Sequence, residues 1–169
     1  MHIRELGPAD AQEFQTLRFQ ALIECPLAFV SSYEEECNTP LSVVGEHLRN
    51  RPGRCVLGAF LDSQLVGIVG LQREELKKLS HKAFIWGMYV ATVARRHGVG
   101  GELVTAAIAR ASRMQGVRQV NLGVNAVNAP AIRLYESLGF TSFGVERGFM
   151  SLDGELYDEV HMVCLLPAT

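Results

Sequence analysis

The chain has 169 residues, of which 48% are hydrophobic and 20% are charged, a composition that suits one globular domain, spanning residues 1–169, with a full hydrophobic core. Its formal net charge is −2, so no overall positive field is present to attract nucleic acid or an anionic membrane. No apolar run approaches the ~20 residues of a membrane span, and the N-terminal residues lack the apolar core of a signal peptide. We therefore expect a cytoplasmic protein with no nucleic-acid or membrane partner.

The cysteine spacing favours reduced thiols over a metal site. The four cysteines are Cys25, Cys37, Cys55 and Cys164, and none of them belongs to a Cys-x-x-Cys pair. No histidine cluster accompanies them at the spacing of a zinc site, so we predict no metal ion. Free cysteines of this kind act as small hydrophobes, although the spacing alone also allows a Cys25–Cys37 bridge.

Apolar periodicity and the positions of glycine and proline predict alternating strands and helices. In the first half these are a strand at 3–6, a helix at 9–24, an irregular segment at 26–39, a helix from 40 to 49 or 50, and a hairpin of strands at 55–61 and 64–71. In the second half they are a central strand at 82–91, a helix that opens at a glycine-rich turn and stops at Gly116, a strand at 117–124, a helix at 130–138, and a closing hairpin of strands at 140–149 and 155–166. A right-handed crossover makes strand 117–124 parallel to the central strand. We therefore predict an α/β fold with one mixed sheet and about four flanking helices.

The glycine-rich turn has the composition of a phosphate-binding loop. It reads Arg-Arg-His-Gly-Val-Gly-Gly over residues 95–101 and lies between an apolar strand and an apolar-periodic helix. The first N–H groups of a helix have no intrahelical partner and carry the positive end of the helix dipole. Glycine lets the backbone approach an anion closely, and the two arginines add charge that can reach further phosphates.

Two sequence patterns together resemble the signature of the GCN5-related N-acetyltransferase family. The first is Arg-x-x-Gly-x-Gly, carried by Arg95, Gly98 and Gly100. The second is Asn-x-x-Ala-x-x-Leu-Tyr-x-x-x-Gly-Phe, which residues 128–140 match about 30 residues after the turn. The predicted order of elements also resembles that fold over nearly the whole chain.

The resemblance implies that acetyl-CoA is the co-substrate. The pantetheine arm would pair with backbone at the end of the central strand, which splays from its parallel neighbour, and the diphosphate would lie on the N–H groups from His97 to Glu102. The cofactor-binding residues implied in this way are Met88, Tyr89, Val90, Arg95, Arg96, His97, Gly98, Val99, Gly100, Gly101, Glu102, Asn128, Ala131 and Tyr135. Arg95 or Arg96 is expected to reach a phosphate, and the alternative for Arg96 is a solvated surface charge.

The implied reaction is direct transfer of the acetyl group from sulfur to an amine. Tyr135 lies where the family's proton-donating tyrosine falls, and a phenol of pKa ~10 can protonate the leaving thiolate; its alternative role is that of a core aromatic. Asn128 would hydrogen-bond the cofactor arm or cap the helix from residue 130. Many relatives carry a glutamate on the central strand, but residues 84–90 contain no carboxylate, so a water relayed from residues 34–36, from Asn125 or from Tyr89 is the available base.

The acceptor side is the less constrained part of the prediction. Phe29, Tyr33, Glu34 and Trp86 indicate a cationic acceptor with an apolar portion, whereas the acidic run 34–36 is alternatively a solvated loop. The acidic pair in residues 157–159 faces either the acceptor amine or solvent. The amine belongs to a small molecule, a protein N-terminus or a lysine, and the hydrophobic final strands suit the edge of a homodimer.

Two other functions compete with the enzyme. The first is a non-catalytic acyl-CoA-binding sensor or interaction module on the same fold, which the missing central-strand glutamate would favour. The second is a nucleotide-binding α/β protein that uses the turn for ATP or NAD, although no Gly-x-x-x-x-Gly-Lys-Ser/Thr pattern is present to support it.

Overall fold

The structure, a computed structural model, describes residues 1–167. Its strands are β1 (His2–Glu5), β2 (Arg54–Leu61), β3 (Gln64–Arg73), β4 (Lys82–Val90), β5 (Gln119–Asn125), β6 (Thr141–Leu152) and β7 (Glu155–Leu165). Its helices are α1 (Ala11–Glu24), α2 (Tyr33–Glu36), α3 (Leu41–Leu48), α4 (Val99–Ser112) and α5 (Ala129–Ser137). The strands form one seven-stranded sheet in the order β1-β2-β3-β4-β5-β7-β6. No helix in residues 1–167 combines the length and apolarity needed to cross a bilayer.

The sheet contains a gap between its two central strands. The predicted parallel pairing of β4 with β5 is confirmed, but it covers only three register pairs, from Lys82↔Gln119 to Phe84↔Asn121. Beyond Phe84, β4 carries a bulge, where its register with β3 shifts and Gly87 adopts a φ of +62°. The backbone of β4 beyond this point is therefore free of a partner on its β5 side.

The bulge also decides which side chains of β4 face which helices. Ile85, Met88 and Val90 pack on the side of α4 and α5, and Trp86 and Tyr89 pack on the side of α1 and α3. A regular strand would put residues 86, 88 and 90 on one side. We call the two sides of the sheet the α4 face and the α1 face.

Each face is covered by its own apolar cluster. On the α4 face, Leu103, Val104 and Ala107 of α4 are fully buried against strands that include β5. On the α1 face, α1 and α3 pack against β2 and β3 through residues such as Leu17 and Leu48. The predicted alternation of β5 is confirmed, because its buried valines and leucine all belong to the first cluster.

Local differences from the predicted elements have identifiable causes. Residues 33–36, expected to be irregular, form one helical turn, because Ser32 and Glu35 make a reciprocal capping box. Helix α4 ends at Ser112, and Gly116 lies in the turn that follows rather than at the helix end. Gly139 does follow the C-cap of α5 directly, with a φ of +89°.

Candidate active site

A cavity of about 590 Å³ occupies the gap between β4 and β5. Its walls come from five parts of the chain, and both faces of the sheet contribute to it. The lining residues are 85–90 of β4, 94–96 and 98–101 of the turn and the start of α4, 122–125 of β5, then Asn128, Pro130, Ala131, Leu134 and Tyr135 of the α5 region, and a group formed by Cys25, Leu27, Ala28, Val30, Phe149, Met150 and Glu159. The sheet is thus open where the two central strands separate.

The glycine-rich turn presents backbone donors to this cavity. Gly98 has a φ of +78° and is the N-cap of α4, and the first intrahelical bond runs from the Glu102 N–H to the Gly98 carbonyl at 3.1 Å. The N–H groups of residues 99–101 are therefore unused by the helix. Those three residues and Gly98 line the cavity, whereas His97 and Glu102 do not. Of the predicted donors, which run from His97 to Glu102, residues 98–101 therefore lie at the cavity wall.

Gly100 allows the turn to pack closely against its neighbours. A Cβ at this position would lie 3.2 Å from Met88 Cε and 3.3 Å from Leu134 Cδ2. Both distances are tighter than ordinary contacts, so the ends of the Met88 and Leu134 side chains would have to shift to admit a side chain here. The glycine keeps the donor N–H groups beside the open backbone of β4.

Tyr135 lies in α5 and lines the cavity from the α4 face. Only 6% of the residue is exposed, and its ring meets Phe140 edge-on at 5.8 Å. Burial raises the pKa of the phenol to about 12, so the hydroxyl keeps its proton at any physiological pH and is available as a donor. Tyr135 therefore packs in the apolar core and also lines the cavity.

Within residues 1–167, Glu159 is the one acidic residue whose side chain lines the cavity. It belongs to β7 and extends over Gly123 of β5, where a Cβ would collide with its carboxylate. Burial raises the pKa of Glu159, with Glu146 acting in the same direction and His161 opposing it. A partly buried carboxylate of raised pKa is a suitable proton acceptor near neutral pH.

His161 connects the carboxylate to the rest of the final hairpin. Its Nδ1 lies 3.6 Å from Glu159 Oε1, and its Nε2 lies 3.3 Å from Glu146 Oε2. The ring also stacks on Phe143, with centroids 6.0 Å apart. Since Glu146 and Glu159 are direct cross-strand partners, the imidazole lies beside two carboxylates of like charge.

Comparison with known proteins identifies the family. Residues 19–140 match the Acetyltransferase (GNAT) family. The chain belongs to this family. It is 30% identical to the L-amino acid N-acetyltransferase AaaT of Escherichia coli over 69% of this chain and 72% of the relative.

Solved GNAT structures share the fold over nearly all of the chain. The ribosomal-protein-alanine N-acetyltransferase from Brucella melitensis is 28% identical, with a TM-score of 0.85 and coverage of 98% of this chain and 100% of that one. The structure of yncA from Salmonella typhimurium, solved with its cofactor acetyl-CoA, is 21% identical, with a TM-score of 0.83 and coverage of 100% and 95%. Among the curated relatives that it matches, the chain spans from 27% to 74% of the relative's length.

The predicted reaction class is confirmed by these relatives. Family membership and the names of the relatives support an N-acetyltransferase that uses acetyl-CoA. A non-catalytic acyl-CoA-binding module is not favoured, and nothing in the comparisons favours an ATP- or NAD-binding protein.

The two arginines of the GNAT turn have different roles. The Arg95 Nε donates to the Val90 carbonyl at 2.9 Å, and its Nη2 lies 3.6 Å from Glu24, so its guanidinium faces the protein. Arg96 has a φ of +66°, is exposed at the rim of the cavity, and forms no ion pair within residues 1–167. Of the two, Arg96 is the one available to an incoming phosphate.

Asn128 performs the alternative role that the sequence allowed. Its Oδ1 accepts the Ala131 N–H at 3.2 Å and caps α5. Both residues also line the cavity, so the cap holds the start of α5 at the cavity wall.

Three of the side chains suggested as water relays, Tyr89, Asn125 and Glu36, are engaged elsewhere. The Tyr89 hydroxyl donates to Glu24 at 2.7 Å, and burial together with that bond raises its pKa, so the phenol is a poor base. Asn125 Oδ1 accepts the Val127 N–H, and Glu36 pairs with Arg18 at 2.7 Å.

Of the four residues expected to contact the acceptor, Trp86 lines the cavity and the other three do not. Phe29 is buried beneath the Arg18 guanidinium, which lies 4.5 Å from its ring. Tyr33 meets Phe19 edge-on at 5.3 Å, and Glu34 is exposed on α2. The loop after α1 turns Phe29 into the core, and its other residues, Leu27, Ala28 and Val30, form the cavity wall.

Sequence reasoning left Glu159 unassigned between solvent and the acceptor amine. The pattern that could have found it is the alternation of β7, in which Val160, Met162 and Cys164 face the α4 core and their neighbours face the other way. The alternation does not predict that β7 pairs with β5. This pairing places the side of β7 that carries Glu159 at the gap.

Proposed function

We propose that this GNAT protein acetylates the α-amino group of a peptide or protein N-terminus whose first side chain is small and apolar. The observation that carries the proposal is the single carboxylate, Glu159, at an otherwise apolar end of the cavity. The wall of that end is formed by Leu27, Val30, Trp86, Phe149 and Met150.

The charge of this end favours an amine without a neighbouring carboxylate. A free amino acid brings its own carboxylate, which needs a cation, whereas the two cations that line the cavity, Arg95 and Arg96, belong to the turn on the cofactor side. A peptide N-terminus brings only the ammonium group, and Glu159 complements it. An α-amine also has a pKa near ~7.7–8, against ~10.4 for lysine, so a carboxylate of raised pKa can accept its proton at a lower free-energy cost.

On the cofactor side, backbone groups supply most of the binding. The arm of acetyl-CoA would occupy the gap beside Met88 and Val90, and its amides would pair with the open backbone of β4. The diphosphate would accept from the N–H groups of residues 99–101 at the positive end of α4. Arg96 would add a charge-assisted contact.

The reaction follows from groups on opposite faces of the sheet. The ammonium group transfers one proton to Glu159, and the neutral nitrogen attacks the thioester carbonyl carbon. The new C–N bond forms and the C–S bond breaks, so the electron pair of that bond leaves with sulfur. The nitrogen, positively charged after the attack, loses its second proton to water. Tyr135 donates its proton to the thiolate, and exchange with solvent restores both side chains. The products are an N-acetylated amine and free CoA.

The names of several relatives support an α-amine acceptor. The Escherichia coli relative is named for L-amino acids, and the Brucella melitensis structure for the alanine of a ribosomal protein. Others are named N-alpha-acetyltransferases, including one from Sulfurisphaera tokodaii at 30% identity. All of these names describe transfer to an amine on a Cα atom.

The test is a comparison of acceptors with release of the CoA thiol as the readout. The acceptors are a peptide that begins with alanine, free alanine, and an Nα-acetylated peptide with one lysine. We expect kcat/KM to be at least about tenfold higher for the first, which corresponds to ~1.4 kcal/mol. Preference for free alanine or for lysine would contradict the acceptor class. A parallel thermal-shift titration with acetyl-CoA separates failure of the acceptor from failure of cofactor binding, because a ligand at ~100 times its Kd adds about 2.7 kcal/mol.

A cytoplasmic location and a homodimer also belong to this proposal. All four cysteines are free, which suits a reducing compartment.

Strand β6 ends the sheet and carries the exposed side chains of Phe143 and Val145, so a second copy would cover an open edge. Light scattering decides the dimer: twice the chain mass supports it, and a monomer mass removes it.

A further inference from the structure

Strand β6 carries two extra residues where it lines the acceptor end of the cavity. Glu146 faces Glu159 and Met150 faces Tyr157, so three residues of β6, 147–149, lie opposite Asp158 alone. This arrangement is a β-bulge, a feature that redirects side chains and is common beside active sites. The acetyl-transfer step described above assigns no role to it.

The bulge decides which side chain stands beside the proposed base. Directly opposite residues of an antiparallel pair share one side of the sheet, and so do residues two apart along a strand, so the partner of Tyr157 lies on the side of Glu159. A regular continuation of the ladder would put Gly148, which has no side chain, opposite Tyr157. The bulge puts Met150 there instead. Both Met150 and Phe149 line the cavity, so the extra residues supply an apolar wall.

A single carboxylate holds the bulge in place. Asp158 Oδ1 accepts the Gly148 N–H at 2.9 Å, and Asp158 Oδ2 accepts from Arg147 Nη1 at 2.7 Å. The bond from the Gly148 N–H is the largest cause that lowers the pKa of the Asp158 carboxyl, and Arg147 acts in the same direction. The Asp158 backbone carbonyl also accepts the Ala126 N–H at 2.9 Å. The residue that holds the bulge is therefore itself bonded to the segment that follows β5.

The two contacts of this carboxylate are unequal. The Arg147 side chain is 85% exposed, so water and salt screen its ion pair, which contributes little. Gly148 lies outside the register of β6 with β7 and has a φ of +61°, so the bulge removes its N–H from the strand ladder. The Asp158 carboxylate replaces the strand partner that this N–H lacks, and we regard this bond as the anchor of the bulge.

We propose that Asp158 is a positioning residue that sets the acceptor preference, because it anchors the bulge that holds Phe149 and Met150 against the first side chain of the acceptor. The inference rests on the acceptor proposed above and gives a physical reason why that side chain has to be small. Asp158 does not line the cavity, so it acts through these two apolar side chains rather than on the substrate.

The experiment compares two peptides that differ only in their first residue, leucine or alanine. The measured quantity is the ratio of kcat/KM for the leucine peptide to kcat/KM for the alanine peptide. Both peptides use the same base and cofactor, so any change at the neighbouring Glu159 cancels in this ratio. Met150→Ala opens the wall and should raise the ratio at least about tenfold. Asp158→Ala should raise it about three- to tenfold, and a native ratio in either folded variant overturns the proposal.

Two control variants separate the anchor from the ion pair. Asp158→Asn keeps an oxygen for the Gly148 N–H and should keep the native ratio, and so should Arg147→Gln, which removes the ion pair alone. A shift in Asp158→Asn as large as that in Asp158→Ala overturns the proposal. An unchanged thermal shift with acetyl-CoA shows that each variant is folded. If Asp158→Ala does not fold, Gly148→Ala takes its place, because a Cβ at this φ strains the bulge, and a native ratio there overturns the proposal.

A measurement without any acceptor tests the anchor independently of the proposed function. Hydrogen exchange over residues 147–152 should be faster in Asp158→Ala than in the native protein and unchanged in Asp158→Asn. Equal rates in all three proteins overturn the proposal. A native protein that prefers free amino acids to peptides would instead contradict the acceptor class, and the same ratio is then measured with free leucine and free alanine.

Discussion

The two sides of the central gap are built in different ways. On the cofactor side, the cavity wall comes from two short segments, 88–101 and 128–135, and the proposed donors to the diphosphate are backbone N–H groups. On the acceptor side, the wall combines the loop after α1, one residue of β4, two residues of β6 and Glu159 of β7. The first side needs a particular backbone path, and the second needs particular side chains brought together by the sheet.

This difference explains why one side is visible in a sequence and the other is not. A binding site made of backbone groups can be recognised in the sequence, because only glycine adopts a positive φ and lets the backbone approach a ligand closely at low cost. A side-chain site built from distant strands has no fixed spacing, and it depends on strand order and register. Substitutions on the two sides should therefore have separable effects on acetyl-CoA binding and on turnover.

The largest effect is expected on the acceptor side, from Glu159→Gln. Loss of a general base lowers kcat/KM by about 10²–10³-fold, with little change in the KM for acetyl-CoA. Burial raises the pKa of this carboxyl. In the natural protein, activity should therefore rise with pH around a pKa above the ordinary ~4.3 of glutamate. This rise at acidic pH should be absent from the variant. A pH profile of kcat/KM measures both changes.

The control for that variant is Glu146→Gln, which removes the carboxylate on the far side of His161. It should retain most of the activity. The stability of Glu159→Gln provides a second check. A carboxyl whose pKa is higher in the folded than in the unfolded state lowers the free energy of unfolding once it is ionised. Glu159→Gln should therefore not lower the thermal midpoint at pH 7. Equal loss of activity in both variants would contradict the assignment of Glu159 as base.

The second effect is expected on the cofactor side, from Tyr135→Phe. Removal of the hydroxyl should lower kcat by about 10²-fold, while the affinity for acetyl-CoA stays within about threefold. Because the pKa of this phenol is raised to about 12, its ionisation should not limit activity below about pH 10. Steady-state kinetics with varied acetyl-CoA test this prediction. A variant with normal turnover and reduced stability would leave Tyr135 with a packing role alone.

A smaller effect should separate the two arginines of the turn. Arg96→Ala should raise the KM for acetyl-CoA about three- to tenfold, and the increase should shrink at high salt, because an exposed charge contact is screened. Arg95→Ala should instead lower stability by ~0.5 kcal/mol, since it loses the partly exposed contact with the Val90 carbonyl. Thermal denaturation and acetyl-CoA titrations of both variants make the comparison. The reverse assignment would show that Arg95 leaves Glu24 when the cofactor binds.

The last prediction concerns the backbone of the turn, where the change should affect stability alone. Gly98→Ala places a Cβ at a φ of +78° and should cost about 1 kcal/mol of stability. Gly101→Ala is the matched control, because its Cβ would meet Leu134 at an ordinary 3.8 Å, and its effect should stay within about 0.5 kcal/mol. Urea denaturation measures both. Similar losses of stability in the two variants would contradict the requirement for glycine at the left-handed conformation of residue 98.

Local sequence patterns determined most of the elements and the cofactor side of this protein. The glycines of the turn and the pattern that ends in Gly139 and Phe140 are short-range features, because each reflects backbone geometry within one strand–turn–helix unit. The same holds for the apolar spacing of α4, which predicts its buried face without knowledge of the rest of the chain.

The tertiary structure alone decided the proposed acceptor side. The bulge at Gly87 moved Met88 and Val90 to the α4 face, the pairing of β7 with β5 brought Glu159 to the gap, and the loop after α1 turned Phe29 into the core. None of these follows from local periodicity, because a one-residue change of register reverses the side of the sheet that every later side chain faces.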